Sequence, residues 1–229
     1  MCGRYSIYES MDHYLRQLEL DLIVINGYDH EDINRYNVAP STRVELIRGA
    51  EGGLRVDKVK WGWAPCWAKG KRPDPINARV ETVDSGKFFK QLWPAGRALA
   101  PANNWFEWVK HPDDPNKKQP YLIRLKSGEP MFFAALAQVH TDLQPHDGDG
   151  FVIITDASDA GMLDIHDRRP VVLDPEDARE WLQEDLPAER ALELARHSRP
   201  VEDFEWYPVS PAVGNVKNQG SDLIRRVGN

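Results

Sequence analysis

The sequence predicts an α+β protein whose core is a mostly antiparallel β-sheet or barrel-like assembly with helices at its periphery. Three observations carry that expectation. Between residues 44 and 155, short runs rich in β-branched and aromatic residues succeed one another across turns rich in Gly, Pro, Asn and Asp. Helical patterns lie at two flanks, residues 9–20 and 174–197, and in one short stretch at 87–93. No linker, repeat or low-complexity tract interrupts the 229 residues, so one domain over 1–229, with its core at about 2–227, is expected.

In chain order, residues 9–20 space Met11, Tyr14, Leu15 and Leu18 for one buried helical face. Asn37-Val38-Ala39-Pro40 reads as a turn, because a proline biases its predecessor toward extended conformations. Strands over 44–48 and 54–63 are joined by the glycine-rich stretch 49–53, a hairpin signal. In Trp61-Gly62-Trp63-Ala64-Pro65-Cys66-Trp67, Trp61 and Trp63 share a strand face and are expected in the core. Trp67, beside Lys69, Lys71 and Arg72, is the exposed candidate for stacking on bases. A short helix is expected at 87–93, then strands at 97–100, 105–109, 121–126, 131–139 and 151–155, with loops at 112–119 and 140–150. The second loop holds His140, His146, Asp147 and Asp149 but lacks tight ligand spacing, which favours a solvated turn over a metal site. Asp174-Pro175-Glu176-Asp177 carries the marks of a helix start: an N-cap aspartate, a proline at the first position and acids in the first turn. A further helix at 187–197, a last strand at 204–209 and a polar loop at 214–220 complete the reading.

The formal charge of −7 argues at first against a nucleic-acid partner. Its distribution reverses that argument. Residues 174–205 hold 11 acids and 4 arginines, leaving 25 acids and 25 bases elsewhere, so a local basic groove is allowed. Two cysteines make no disulfide framework, and the absence of a long apolar run or signal-peptide pattern points to a cytoplasmic chain without a membrane partner.

Cys2 follows the initiator position. Loss of Met1 would leave an α-amine and a thiol on one residue, an aminothiol that condenses with an aldehyde to an imine and then closes to a thiazolidine. With an amine pKa of about 7.7–8.0 and a thiol of about 8.5, the group needs a base beside it at neutral pH. The plainer reading of Cys2 is a buried small residue. Glu107 lies in Trp105-Phe106-Glu107-Trp108, where alternation puts Trp105 and Glu107 on one face. It is either a desolvated carboxyl useful in proton transfer or an edge-strand acid in water. His166, amid Asp164, Asp167, Arg168 and Arg169, is a proton-transfer centre or part of a salt-bridged loop. Asn77, near Arg79, could orient an amine or a sugar hydroxyl.

Taken together, Cys2-Gly3-Arg4, Asn37-Val38-Ala39-Pro40, Trp61-Gly62 with Ala64-Pro65, Asn77-Ala78-Arg79-Val80-Glu81-Thr82, Trp105-Phe106-Glu107-Trp108, Asp164-Ile165-His166-Asp167-Arg168-Arg169-Pro170 and Val213-Gly214-Asn215-Val216-Lys217-Asn218-Gln219-Gly220 resemble the SOS-response-associated peptidase (SRAP) family, in particular its bacterial abasic-site processing members. The resemblance runs from Cys2 to about Val227. It implies a single SRAP-type domain that senses abasic sites in single-stranded DNA during the damage response and crosslinks to them through a thiazolidine on Cys2. By the same resemblance Cys2 is the nucleophile, Asn77 holds the reacting amine and sugar, Glu107 transfers protons, and His166 stabilises the opened sugar. Arg4, Arg79 and Arg168 are expected on phosphates, Trp67 and Pro40 where the strand is splayed, and Asn37 and Thr155 among the DNA contacts. The family has a second aromatic near Trp67 where this chain has Ala68. No metal or cofactor is implied. A monomer is the expected form, with replication machinery as the partner class, and lyase activity and peptidase-type removal of Met1 are the accompanying activities. The alternative is an N-terminal-nucleophile peptidase or amidase, in which Cys2 attacks an amide with its own amine or Glu107 as base.

Overall fold

A computed structural model of the protein describes residues 2–18, 21–111, 113–141, 144 and 146–228. In chain order its elements are β1 (Tyr5–Ile7), α1 (Met11–Gln17), β2 (Arg35–Val38), β3 (Arg43–Ala50), β4 (Gly53–Lys60), β5 (Asn77–Arg79), β6 (Arg97–Ala102), β7 (Asn104–His111), β8 (Asp114–Leu125), β9 (Met131–Gln138), β10 (Gly150–Ala157), β11 (Arg168–Pro170), β12 (Val172–Leu173), α2 (Pro175–Trp181), α3 (Ala188–Ala195) and β13 (Phe204–Pro208). The strands form two sheets and no closed barrel. The first runs β13-β8-β7-β1-β2; the second runs β11-β10-β9-β6-β3-β4, with β12 on β9 and β5 on β10. All pairings among these strands are antiparallel except β5 with β10.

The sheets meet face to face through aromatic side chains. Tyr5 of β1 and Trp105 of β7 both approach Phe133 of β9 edge-on, at 5.8 and 6.0 Å between ring centres, and Tyr5 lies 5.1 Å from Trp61. Edge-to-face contact suits the quadrupoles of these rings as well as their area. On the other face of the first sheet, Phe106, Leu122 and Tyr207 pack with Val209, Val213 and Leu223 of the C-terminal segment. Strand alternation thus sends Trp105 inward between the sheets and Phe106 outward beneath the tail. The segment after β4 crosses close over β10: Gly62 N–H donates to the Phe151 carbonyl at 2.8 Å. A Cβ at Gly150 would lie 2.2 Å from the Gly62 carbonyl oxygen, so only glycine permits this approach.

Several expectations hold in detail. The 49–53 hairpin is present, with Ala50 opposite Gly53. Asp174 caps α2 by accepting the Asp177 N–H at 2.9 Å. Trp61 and Trp63 are buried while Trp67 is 57% exposed. Others are corrected. Asn37 and Val38 belong to β2, and the turn begins only after them. The helix expected at 87–93 is a series of turns in which Phe88 and Phe89 pack on Trp63. Residues 114–119, expected as loop, extend β8 because Val109 and Lys110 continue the β7 pairing opposite Gln119 and Lys118. The end of the helix expected over 9–20 includes residues 19 and 20, which lie outside the described residues.

Candidate functional site

Cys2 stands three residues ahead of β1 and is fully buried. β1 pairs with β7 in the register Tyr5 to Trp105 and Ser6 to Asn104, and Phe106 N–H donates to the Arg4 carbonyl at 2.9 Å. Carried on, this register puts Gly3 beside Glu107, so the amino-terminal segment is laid along the carboxyl-bearing strand. Glu107 is 4% exposed, which settles its environment in favour of desolvation. Burial pushes its carboxyl up to about 7, helped by the negative charge of Asp167 and opposed by the positive amino terminus. Burial and then the Glu107 charge push the Cys2 thiol well above its ordinary range, so the sulfur is held protonated.

His166 follows the 3-10 turn Ala160–Asp164, and its N–H donates to the Met162 carbonyl at 3.1 Å. Its Nδ1 lies 3.0 Å from the Arg168 N–H and 2.8 Å from Asp167 Oδ1. One nitrogen cannot accept from the first and donate to the second. Burial moves the imidazole below its ordinary pKa, and the Asp167 side chain is 80% exposed, so we assign a neutral ring with Nδ1 as acceptor and the proton on Nε2. Ser158 N–H anchors this loop through the Asp167 carbonyl at 2.9 Å.

Asn77 opens β5, opposite Ile153 of β10. Both its amide nitrogen and its amide oxygen are enclosed with no hydrogen-bond partner among the described residues. Burial penalises such an amide unless a ligand completes it. Electrostatic coupling links the Cys2 thiol to Glu107, and Glu107 to Asp167 beside His166, while Asn77 on β5 offers an amide donor and acceptor.

The expected DNA contacts divide. Arg79 is exposed at the end of β5, and Pro40 is half-buried. Trp67 meets Phe88 edge-on at 5.5 Å, and the Arg72 guanidinium lies 4.9 Å over the Phe88 ring. Phe88 supplies an aromatic partner for Trp67 where Ala68, buried, does not. Arg4 is more restrained than expected. Its Nη1 donates to Asn37 Oδ1 at 2.8 Å and to the Val213 carbonyl at 2.7 Å, and its guanidinium lies 5.5 Å over Trp108. Asn37, at 1% exposure, and Thr155, at 2%, both expected among the DNA contacts, are buried in the structure. Asn37 spends its amide on the carbonyls of Val213, Asn215 and Asn218, while Thr155 pairs with Arg79 and Pro170. Arg168 is also committed within the protein: it binds both Glu81 oxygens and reaches a phosphate only by leaving them. Sequence reasoning missed Glu81 and Gln219; Glu81 alone had a local signal, an acid two residues from Arg79 in the same motif. In the 140–150 loop His140 bonds Asp149 at 2.6 Å and stacks on His146, and no group of metal-ligating side chains occurs among the described residues.

This arrangement has relatives. A family model described as SOS response associated peptidase (SRAP) matches residues 1–216, and the chain belongs to that family. It is 46% identical to the abasic site processing protein YedK of Escherichia coli (strain K12), over 99% of this chain and 100% of that one. It is 33% identical to the abasic site processing protein YoqW of Bacillus subtilis (strain 168), over 98% and 99%. Among solved structures, a phage-related protein from Bordetella bronchiseptica superposes with a TM-score of 0.77 at 34% identity, covering 91% of this chain and 94% of that one.

Proposed function

We propose that this protein senses abasic sites in single-stranded DNA and captures the ring-opened sugar as a thiazolidine on Cys2. The observation that carries the reading is a buried Cys2, just ahead of β1, on a segment laid along β7 and its buried carboxyl of pKa about 7. The names of the relatives, abasic site processing proteins, support it.

The charge states set an order of events. Once Met1 is removed, the Cys2 amine attacks the sugar aldehyde, and water leaves to give the imine. The thiol, protonated until then, adds across the C=N bond. Sulfur bonds to the former aldehyde carbon, and its proton passes to nitrogen. Glu107 carries protons in both steps, since a group near its own pKa at neutral pH can both give and take them. The Nε2–H of His166 faces the opened sugar as donor, and the Asn77 amide takes the amine or a sugar hydroxyl. Arg79 contacts phosphate, with Trp67 and Pro40 at the splayed bases. Peptidase-type chemistry is limited to removal of Met1, and β-elimination of an unclosed imine is the side reaction. The protein acts as one domain over about 2–227, as a cytoplasmic monomer that meets its DNA where replication exposes single strands. None of its described helices is long and apolar enough to cross a membrane.

Mixing the Met1-free protein with an abasic oligonucleotide and separating it under denaturing conditions tests the reading. A heat-stable shifted band is expected. Cleavage of peptide substrates with no shifted band would favour the amidase alternative.

A further inference from the structure

The Arg168 guanidinium is gripped from two sides. Nη1 and Nη2 donate to Oε1 and Oε2 of Glu81 at 2.5 and 2.9 Å, fork against fork, and Nη2 also donates to the Thr155 carbonyl at 2.8 Å. The Arg168 side chain is only 10% exposed, whereas that of Glu81 is 50% exposed. The arginine is therefore the floor of this pair and the acid its cover. Arg79 is exposed, stands two residues before Glu81, and pairs with Thr155 across β5 and β10. Arg168 pairs with Ala157, two residues further along β10. Two guanidiniums thus flank one carboxylate on a short stretch of sheet. A carboxylate and a phosphate present the same paired oxygens to a guanidinium fork.

Building on the DNA-strand reading above, we propose that Glu81 is a resident competitor of the DNA backbone. A phosphate drawn in by Arg79 displaces the Glu81 carboxylate from the Arg168 fork. Glu81 belongs to the surface 3-10 turn Val80–Thr82, so its side chain swings outward by its own torsions while the backbone stays in place. The Thr155 carbonyl keeps hold of Nη2 during the exchange, and the fork stays aimed at the incoming phosphate. One ion pair replaces another, so the strand gains little from Arg168 unless it is seated well enough to evict the acid. The site consequently holds loosely seated, undamaged strands more weakly than its arginines alone would.

The alternative for Glu81 is a brace that holds Arg168 in position, and the two roles predict opposite signs. Binding of a labelled, undamaged oligothymidylate is measured by anisotropy for the parent protein and for Glu81→Gln, with thermal unfolding to check the fold. Competition predicts that Glu81→Gln binds about fivefold tighter, with a melting temperature lowered by about 2–4 °C at most, the share of the lost ion pair. It also predicts that Arg168→Ala and the double variant Glu81→Gln/Arg168→Ala bind alike, since the acid then has nothing to withhold. Equal or weaker binding by Glu81→Gln overturns the inference, as does a gain that persists without Arg168. A parent that neither binds this strand nor crosslinks an abasic one overturns the DNA reading itself. A parent that does both, with no gain on removing Glu81, overturns only the competitor.

Discussion

Asn37 and Gln219, far apart in sequence, are joined by a reciprocal amide clip. The Asn37 N–H donates to Gln219 Oε1 at 3.2 Å, and Gln219 Nε2 donates back to the Asn37 carbonyl at 2.9 Å. The Asn37 side chain adds bonds to the Val213, Asn215 and Asn218 carbonyls and accepts from Arg4. The C-terminal loop is thereby made a wall of the arginine that follows Cys2. Asn37→Ala removes a buried amide, takes the side-chain donor from the half-buried Asn218 carbonyl and an acceptor from Arg4, and is expected to cost about 2 kcal/mol, against about 1 kcal/mol for Gln219→Ala. Urea unfolding checks both; a cost for Asn37→Ala below that for Gln219→Ala would show that the loop does not depend on the clip.

A pH signature follows from Glu107. Burial raises its carboxyl from 4.5 to about 7 in the folded chain. A raised acid contributes its full stability below pH about 4.5 and loses it as pH climbs through about 7, because folding then requires a charge to be buried. Glu107→Gln removes that dependence. Relative to the parent, the variant should gain about 3 kcal/mol between pH 4.5 and 7, and little above. Denaturant midpoints at pH 5 and pH 8 provide the comparison, and a constant difference would mean that Glu107 is not perturbed. The same substitution should slow adduct formation while leaving strand affinity near that of the parent, since Glu107 holds no phosphate.

Why could the face of Glu107 be read in advance while the partners of Asn37 could not? The fate of Glu107 depends on a local period. Alternation through Trp105-Phe106-Glu107-Trp108 commits it to the Trp105 face, whichever strand becomes its neighbour. The roles of Asn37 and Arg168 depend on which distant groups arrive, Gln219 and Val213 in one case and Glu81 in the other, and nothing local specifies that arrival. Strand limits failed for a related reason. Asp114, Asn116, Lys117 and Lys118 have weak strand propensity, yet β7 supplies a pairing template, and tertiary context overrides the preference. Phe88 and Phe89 sit at helix-like positions but are claimed by Trp63 and Trp67, so turns replace the helix.

Arg79 carries an electrostatic prediction. It is exposed next to the Thr155 strand and is the proposed phosphate ligand on β5. Arg79→Ala should weaken binding to single strands and lessen the slope of log affinity against log salt by about 0.7, the share of a single phosphate. Trp67→Ala should instead cost about 1–3 kcal/mol of stacking with the salt slope unchanged. A salt titration of both variants separates charge from stacking, and an unaltered slope for Arg79→Ala would mean that Arg79 does not neutralise the backbone.

The last prediction divides the aminothiol into its halves. Intact-mass measurement should find the cellular protein without Met1, because an amide nitrogen on Cys2 cannot form an imine. Cys2→Ala, provided Met1 is still removed, keeps the amine and deletes the sulfur. The amine can attack the sugar aldehyde as before, so borohydride should trap a reduced imine on the variant. Left unreduced, that imine has no thiol to close the ring; it hydrolyses, or loses the 3′-phosphate by β-elimination and releases a cut strand. On the proposed mechanism, the buried thiol near Glu107 should turn the same intermediate into a heat-stable ring in the parent. If Cys2→Ala still holds DNA through heating without reductant, sulfur at position 2 is not the trap. Exposed Cys66 would then be the next thiol to substitute.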